Sequence, residues 1–297
     1  MTARIIDGKQ IAAQIRAELK DEVAGLRKRG IVPGLGVILV GDDPASQSYV
    51  TSKERACEEM GIYSDDNRLA AQTSQEELMA LVRRMNADPK INGILVQLPL
   101  PRHLNESEVL LAIDPNKDVD GFHPVNVGKM VVGEKAFLPC TPHGVVQLLL
   151  RSGVKIDGAH VVIVGRSNIV GKPLANMLIQ KSPTGNATVT VCHTRTRDLA
   201  YFTRQADIVI AAAGRPNTIT ADMIREGAVV IDVGINRVED ATRKQGYRLV
   251  GDVDFEAVKE KASLITPVPG GVGPMTITML LYNTVESAKR ANGLSPA

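Results

Sequence analysis

The chain reads as α/β, with two α/β domains and a cleft between them, the second a Rossmann-like doubly wound parallel sheet. Three observations predict this. Short β-branched runs alternate with amphipathic stretches along nearly the whole length. One run, Val161 to Val164, breaks at Gly165 and restarts as an amphipathic helix, which is how a dinucleotide pyrophosphate site is built: helical N–H groups and the positive dipole end meet phosphate. And 297 residues, 44% of them hydrophobic, suffice for one long or two moderate domains.

Taken in order, Asp7 can cap a helix over Gly8 to Arg29, whose Ile11, Ile15, Leu19, Val23 and Leu26 form an apolar stripe, and Gly30 ends it. A strand at 35–40, a turn at Gly41 to Pro44, a helix from Ala45 to Met60 and a stop at Gly61 follow. Next come a strand at 62–69, a helix opened by the capping box Ser74-Gln-Glu-Glu77, and a strand at 93–98. Residues 99–140, rich in Pro, Asp and Gly, read as irregular, and so long a stretch in a compact domain points to function. Thr141 reads as a helix cap, with strands after it at 159–164, 187–192, 207–212, 228–233 and 263–265. Lys181 to Asn186 reads as a surface turn, 236–251 as an excursion or hairpin, and Met275 to Ala291 as a closing amphipathic helix. The domains expected are 1–140 with 275–297, and 141–274.

Composition excludes several classes. A net charge of +2, without basic runs or interleaved aromatics, argues against nucleic acid as a partner. No window approaches eighteen consecutive apolar residues, so no membrane span is expected, and the N-terminal residues lack a signal core, which predicts a cytoplasmic protein. Cys57, Cys140 and Cys192 are odd in number and lack a C-x-x-C, so they predict packing rather than a disulfide framework or a zinc site.

The nucleotide clues have their own spacing. Gly165 and Gly171 flank five residues, and Arg166 and Ser167 stand where the usual fingerprint has its middle glycine. At the end of the next strand, His193-Thr-Arg-Thr-Arg197 replaces the carboxylate that would meet a ribose 2′-hydroxyl, so a guanidinium fork favours a 2′-phosphate and hence NADP over NAD. Arg195 and Arg197 can equally be ordinary solvated charges. Tyr49 and Lys53, four apart on one helix, place an aromatic plane beside a titratable amine. Alone, such a pair also describes solvated helix decoration.

Ser48-Tyr-Val-Thr-Ser-Lys-Glu-Arg-Ala-Cys-Glu-Glu-Met-Gly-Ile62 resembles the lysine motif of the methylenetetrahydrofolate dehydrogenase/cyclohydrolase family. Gly93 to Pro101, Lys117 to Phe122, Pro139 to Pro142, Gly165 to Gly171, Ile231 to Asn236 and Thr266 to Thr276 resemble its other motifs, in its order, so that the likeness spans essentially the whole chain. The resemblance implies a bifunctional enzyme of one-carbon metabolism, serving purine biosynthesis. It would oxidise 5,10-methylenetetrahydrofolate with NADP and hydrolyse the methenyl product to 10-formyltetrahydrofolate at the same site, without a metal. It implies Lys53 as general acid/base, Gln97 as its orienting partner, Tyr49 stacking on the folate and Asp120 binding the pterin. Val96, Leu98, Pro269, Gly270, Gly271, Val272 and Gly273 would complete the substrate site. Gly165, Arg166, Ser167, Ile169, Gly171, Thr194, Arg195 and Ile235 would hold the cofactor. The first domain would then bind folate, the second NADP, and the chain would form a homodimer, although no apolar pattern marks the interface. Thr194 stands where the family commonly has serine, and the formate-tetrahydrofolate ligase activity that longer relatives carry is not expected. The rival readings are a monofunctional or NAD-linked dehydrogenase and a catalytically silent nucleotide-binding regulator.

Overall fold

The computed structural model describes residues 2–243 and 246–294. Lys244 and Gln245 in the expected hairpin, and Ser295 to Ala297 in the range given to the first domain, lie outside the described residues. In chain order the elements are β1 (Arg4–Ile5), α1 (Gly8–Lys28), β2 (Gly34–Val40), α2 (Pro44–Met60), β3 (Tyr63–Leu69), α3 (Gln75–Ala87), β4 (Gly93–Val96), α4 (Glu106–Ala112), α5 (Pro124–Val132), α6 (Cys140–Arg151) and β5 (His160–Val164). Then follow α7 (Gly171–Leu178), β6 (Thr188–Cys192), α8 (Leu199–Thr203), β7 (Ile208–Ala211), β8 (Val229–Asp232), β9 (Asn236–Glu239), β10 (Tyr247–Val250), α9 (Phe255–Val258), β11 (Leu264–Ile265) and α10 (Val272–Ala291).

The chain separates into two compact units, Gln14–Cys140 with Ile277–Ala297, and Met1–Ala13 with Thr141–Thr276. The first thirteen residues, grouped on sequence with the first domain, cluster with the second because β1 pairs in parallel with β11. Two residues are too short to show a strand period, so this pairing leaves no mark in the sequence pattern.

The unit beginning at Gln14 holds a parallel three-stranded sheet ordered β3-β2-β4. Every residue of β2 and β4 is buried, as their near-continuous apolar runs require. Leu78, Leu81, Val82 and Met85 of α3 pack with Ile38, Val40, Ile94 and Val96 of the sheet and with Val109 of α4. The α3 capping box forms as read: Ser74 Oγ accepts from Glu77 N, and Glu77 accepts from the Ser74 backbone. Ser74→Ala is expected to lower the unfolding free energy by about 1 kcal/mol, measured by urea denaturation, with catalytic rates unchanged. At α2, Asp43 accepts from Ser46 N and Gly61 closes the helix at φ 73°.

The stretch 99–140 is not wholly irregular, since α4 and α5 lie within it. Asn105 accepts from Glu108 N to cap α4; the His123 ring caps α5 by accepting from Val125 N, with Pro124 in its first turn and Gly133 in the left-handed conformation at its end. Helices of seven and nine residues are too short for their periodicity to stand out among Pro, Asp and Gly. Thr141 is likewise not the cap of α6, because the helix already begins at Cys140.

α10 belongs to this unit from Ile277 onward and docks through polar stitches. Ser287 Oγ donates to the carbonyls of Asn92 and Asn116, Lys289 pairs with Glu22 of α1, and Arg290 stacks over Phe137.

The other unit is built on a six-stranded sheet, ordered β1-β11-β8-β7-β5-β6 and parallel throughout. From β5 onward this is the doubly wound 2-1-3-4-5 order, whose direction of winding reverses between β5 and β7. β9 and β10 form the expected antiparallel hairpin. Val162, Val164, Val209, Ala211, Val230 and Ile265 supply the buried core, with Cys192 packed among them as a small hydrophobe. Among the described residues no helix is long and apolar enough to cross a membrane.

Candidate active site

α2 presents Tyr49 and Lys53 on one face, in contrasting environments: Tyr49 is 42% exposed and Lys53 only 7%. Lys53 Nζ donates to Gln97 Oε1 at 2.9 Å, and Gln97 Nε2 in turn donates to the Leu98 carbonyl at 2.8 Å. The strand expected over 93–98 stops at Val96, so Gln97 occupies the first position beyond β4, its backbone N–H still bonded to the Ile38 carbonyl.

Asp120 reaches the same place by an extension of this sheet. Ile94 bridges in parallel to Asp118, and Ile94 N donates to the Lys117 carbonyl. Val119 lies so tightly over Gly93 that a Cβ there would come within 2.6 Å of a Val119 methyl. Beyond it, the buried Asp118 carboxylate accepts from the backbone N–H groups of Gly121, Phe122 and His123 and from Asn126 Nδ2, which fixes the loop.

The electrostatics follow from this burial. Removal from water lowers the Lys53 ammonium below the ordinary lysine range, against the opposing pull of Asp120 and, less strongly, of the Cys140 and Cys57 thiols. Burial pushes the Asp120 carboxyl up to about 6; Lys53 pulls it down, the Asp118 charge pushes it up, and a hydrogen bond with the Cys140 thiol pulls it down. The same burial raises Cys140 well above the ordinary thiol value and Cys57 to about 12. Both cysteines, expected only to pack, are buried and free, and Cys140 also bonds to the Val119 carbonyl. A buried amine whose charge is weakened by desolvation and restored by a neighbouring carboxylate can take up and release a proton.

The residues expected at the cofactor lie in the other unit, at the carboxyl ends of its strands. Gly165 ends β5 at φ 140°, and a Cβ there would run into the carbonyl of Ala212, just past β7. Gly171 is equally constrained, because a Cβ would meet the carbonyl of Gly165. The helix starts at Gly171 rather than directly after Ser167. Ser167 Oγ accepts from Val170 N, tying the intervening turn, and Arg166, Ser167 and Ile169 are exposed on it. After β6, Thr194, Arg195 and Arg197 are exposed, and no carboxylate occupies that strand end. These residues fit an NADP-type ligand: a backbone cradle only glycine permits stands at the sheet's switch point, with guanidinium groups in place of an acidic residue.

Ile235 is half exposed beside Gly273, where a methyl group would touch its Cδ1 atom. Gly270 adopts φ 107°, Gly271 and Val272 are buried, and Pro269 is exposed. Sequence reasoning gave no role to Asp232 and Asp252, which are buried at the same strand ends. Asp232 accepts from the backbone N–H groups of Gly234, Asp252 and Val253. Asp252 accepts from Ala213 N, Gly214 N and Asn236 Nδ2. Burial pushes the Asp232 carboxyl up to about 6. The sequence signal for the pair is the flanking glycines: a Cβ at Gly234 or Gly251 would collide with a carboxylate of Asp252 or Asp232.

Two domain profiles match the chain: "Tetrahydrofolate dehydrogenase/cyclohydrolase, catalytic domain" over residues 6–120 and "Tetrahydrofolate dehydrogenase/cyclohydrolase, NAD(P)-binding domain" over residues 139–292. The chain is 62% identical over 296 residues to a "Bifunctional protein FolD" of Dehalococcoides mccartyi, covering 99% of each. A crystal structure of the bifunctional FolD of Campylobacter jejuni superposes with TM-score 0.91 at 52% identity, covering 97% of this chain and 99% of that one. A Trypanosoma brucei FolD complexed with NADP and an inhibitor superposes with TM-score 0.93 at 43% identity, covering 98% and 99%. The enclosed lysine with its glutamine and aspartate, the glycine-bounded turn at the switch point and this likeness along the whole chain lead to one conclusion: the chain belongs to the tetrahydrofolate dehydrogenase/cyclohydrolase family.

Proposed function

We propose that the protein oxidises 5,10-methylenetetrahydrofolate with NADP and hydrolyses the methenyl product to 10-formyltetrahydrofolate, both at the Lys53 site. The observation that carries this is the buried Lys53 ammonium, held 2.9 Å from Gln97 Oε1 and electrostatically coupled to Asp120. NADP, when bound, supplies the hydride acceptor. The chain's own part in that step is orientation: Tyr49 offers its ring to the folate, Asp120 accepts from the pterin's N–H donors, and Val96 and Leu98 shape the surroundings. In the hydrolysis, the Lys53 ammonium gives its proton to the ring nitrogen as its bond to the one-carbon unit breaks, and the amine so formed takes one back from the hydroxyl that the added water leaves on that carbon. Gln97 suits this role because a neutral amide orients the ammonium without fixing its charge as a carboxylate would.

Gly165, Arg166, Ser167, Ile169, Gly171 and Thr194 are assigned to the cofactor phosphates and Ile235 to the nicotinamide side. Arg195, with Arg197, is assigned to the 2′-phosphate. Arg195→Ala is expected to lower kcat/KM for NADP about tenfold or more, the worth of a hydrogen bond between charged groups, and to leave kcat/KM for NAD unchanged. We assign the folate to the unit beginning at Gln14 and the cofactor to the six-stranded unit, and place the enzyme in the cytoplasm, as a homodimer serving purine biosynthesis.

The function is tested by a time course with methylenetetrahydrofolate and either NADP or NAD, following reduced cofactor and methenyl compound separately. Faster NADPH formation, with supplied methenyl decaying above its spontaneous rate, is the expected result. Accumulation of unhydrolysed methenyl would indicate a simple dehydrogenase, and no cofactor reduction a silent nucleotide-binding protein. Because Asp120 titrates at about 6 and binds as the carboxylate, KM for folate should rise as pH falls through that value. Asp120→Asn should remove this step from the KM profile.

A further inference from the structure

Asn283 lies on α10, 164 residues beyond Val119, and is 3% exposed. Its Nδ2 donates to the carbonyl of Val119 at 2.8 Å and to the carbonyl of Leu138 at 2.9 Å, and the Cys140 sulfur lies 3.8 Å from the same nitrogen. Val119 immediately precedes Asp120, and Leu138 stands two residues before Cys140, whose thiol bonds to the Asp120 carboxylate. One primary amide therefore holds both backbone segments that carry the groups facing Lys53. On the opposite side the segment has no slack, since Val119 already fills the space over Gly93 of β4. The helix carrying the amide is itself anchored one turn later, where Ser287 bonds to the Asn92 and Asn116 carbonyls at the start of β4 and of the Asp120 loop.

We infer that Asn283 is a positioning residue of the reaction: by clamping the Val119 and Leu138 carbonyls, it fixes Asp120 and Cys140 in their places opposite Lys53. The inference rests on the assignment of Lys53 and Asp120 to the active site. Lys53 is faced by Asp120, Cys140 and Cys57, with the neutral Gln97 as its hydrogen-bond partner, and Asp120 by Lys53, Asp118 and Cys140. If the clamp is released and the Asp120 segment recedes, Lys53 loses the negative charge that favours its ammonium, and Asp120 loses the positive charge that favours its carboxylate. The acid limb of the pH–rate profile then moves up and the alkaline limb moves down.

The test uses full-length Asn283→Asp, which keeps the shape but sets an acceptor against two carbonyls, and Asn283→Ala, which leaves room for water to reach them. A circular dichroism spectrum and a cooperative thermal melt like those of the parent report an intact fold. The expected result is that kcat for methenyl hydrolysis falls about 10- to 100-fold, the scale of an ångström-sized displacement, that the pH profile narrows from both sides, and that KM for NADP stays constant. A readout independent of turnover is the pH dependence of Lys53 acylation in the protein without ligands, whose midpoint should fall in Asn283→Ala. Should Asn283→Asp fail to fold, Asn283→Ala carries the test. A folded Asn283→Ala protein with the wild-type profile and acylation midpoint overturns the inference. Lys53→Met separates the two levels: if it still hydrolyses methenyl compound, the site assignment itself fails. If it is inactive while Asn283→Ala behaves as wild type, only the positioning role does.

Discussion

Lys53→Met is expected to slow methenyl hydrolysis by about 10²- to 10⁴-fold, the range a positioned general acid/base contributes, without loss of thermal stability. The second half of that statement follows from the sign of the shift. Burial places the folded-state pKa of Lys53 below the ordinary 10.5, so the folded protein binds this proton less readily than the unfolded chain. The resulting penalty is fully present below the folded pKa and disappears as pH rises from there through 10.5. At neutral pH, well below 10.5, the buried lysine therefore opposes folding, and an apolar side chain of similar length removes that opposition. The variant should melt no lower than the parent in a thermal scan at pH 7 while losing hydrolysis. It should also bind folate more weakly, because Asp120 without Lys53 titrates above its present value of about 6 and holds its charge less firmly. A variant that hydrolyses methenyl compound at the wild-type rate would remove Lys53 from the chemistry.

Gly165→Ala is expected to weaken NADP binding at least about 100-fold, close to 2.7 kcal/mol. Two costs combine. An alanine at φ 140° sits in a region L-residues rarely enter, a strain of roughly 1–3 kcal/mol. Its methyl group also meets the Ala212 carbonyl, so the ends of β5 and β7 must part where the sheet changes winding direction. Methenyl hydrolysis assayed without cofactor should persist, since Lys53, Gln97 and Asp120 belong to the other unit. Fluorescence titration with NADPH and the cofactor-free assay on one preparation check both halves. Undiminished NADPH affinity would show that the turn does not cradle the phosphates.

What the sequence revealed was local chemistry. The turn before α2 and Gly61 after it, the Ser74 and Glu77 box of α3, and the β5–Gly165 break are each written within a few residues, so these elements could be read directly. What it hid depends on distant partners. β1 has two residues and finds β11 some 260 positions later. Asp118 follows an ordinary turn pattern, and only the folded loop shows that its carboxylate organises four N–H groups and so places Asp120. Asn283 reads as one more polar residue on an amphipathic helix until its amide is found between two carbonyls. Pro124 was an available start signal for α5 that the surrounding Asp and Gly residues obscured.

The interleaving of the two units has a consequence for how the protein is made. The lysine-bearing unit starts at Gln14 but lacks its helix until residues from Ile277 onward are synthesised. The other unit's first strand, β1, emerges at the outset and pairs with a strand near the chain's end. At translation rates of roughly 5–20 residues per second, both wait on the order of ten to fifty seconds for their closing segments. During that interval the nascent chain exposes the apolar face that α10 will cover and the unpaired edge of β1, surfaces that chaperones bind. A product that stops after Thr276 has every residue of the six-stranded unit but lacks the helix that closes the lysine-bearing one, and no contiguous stretch of the chain holds either unit without residues of the other.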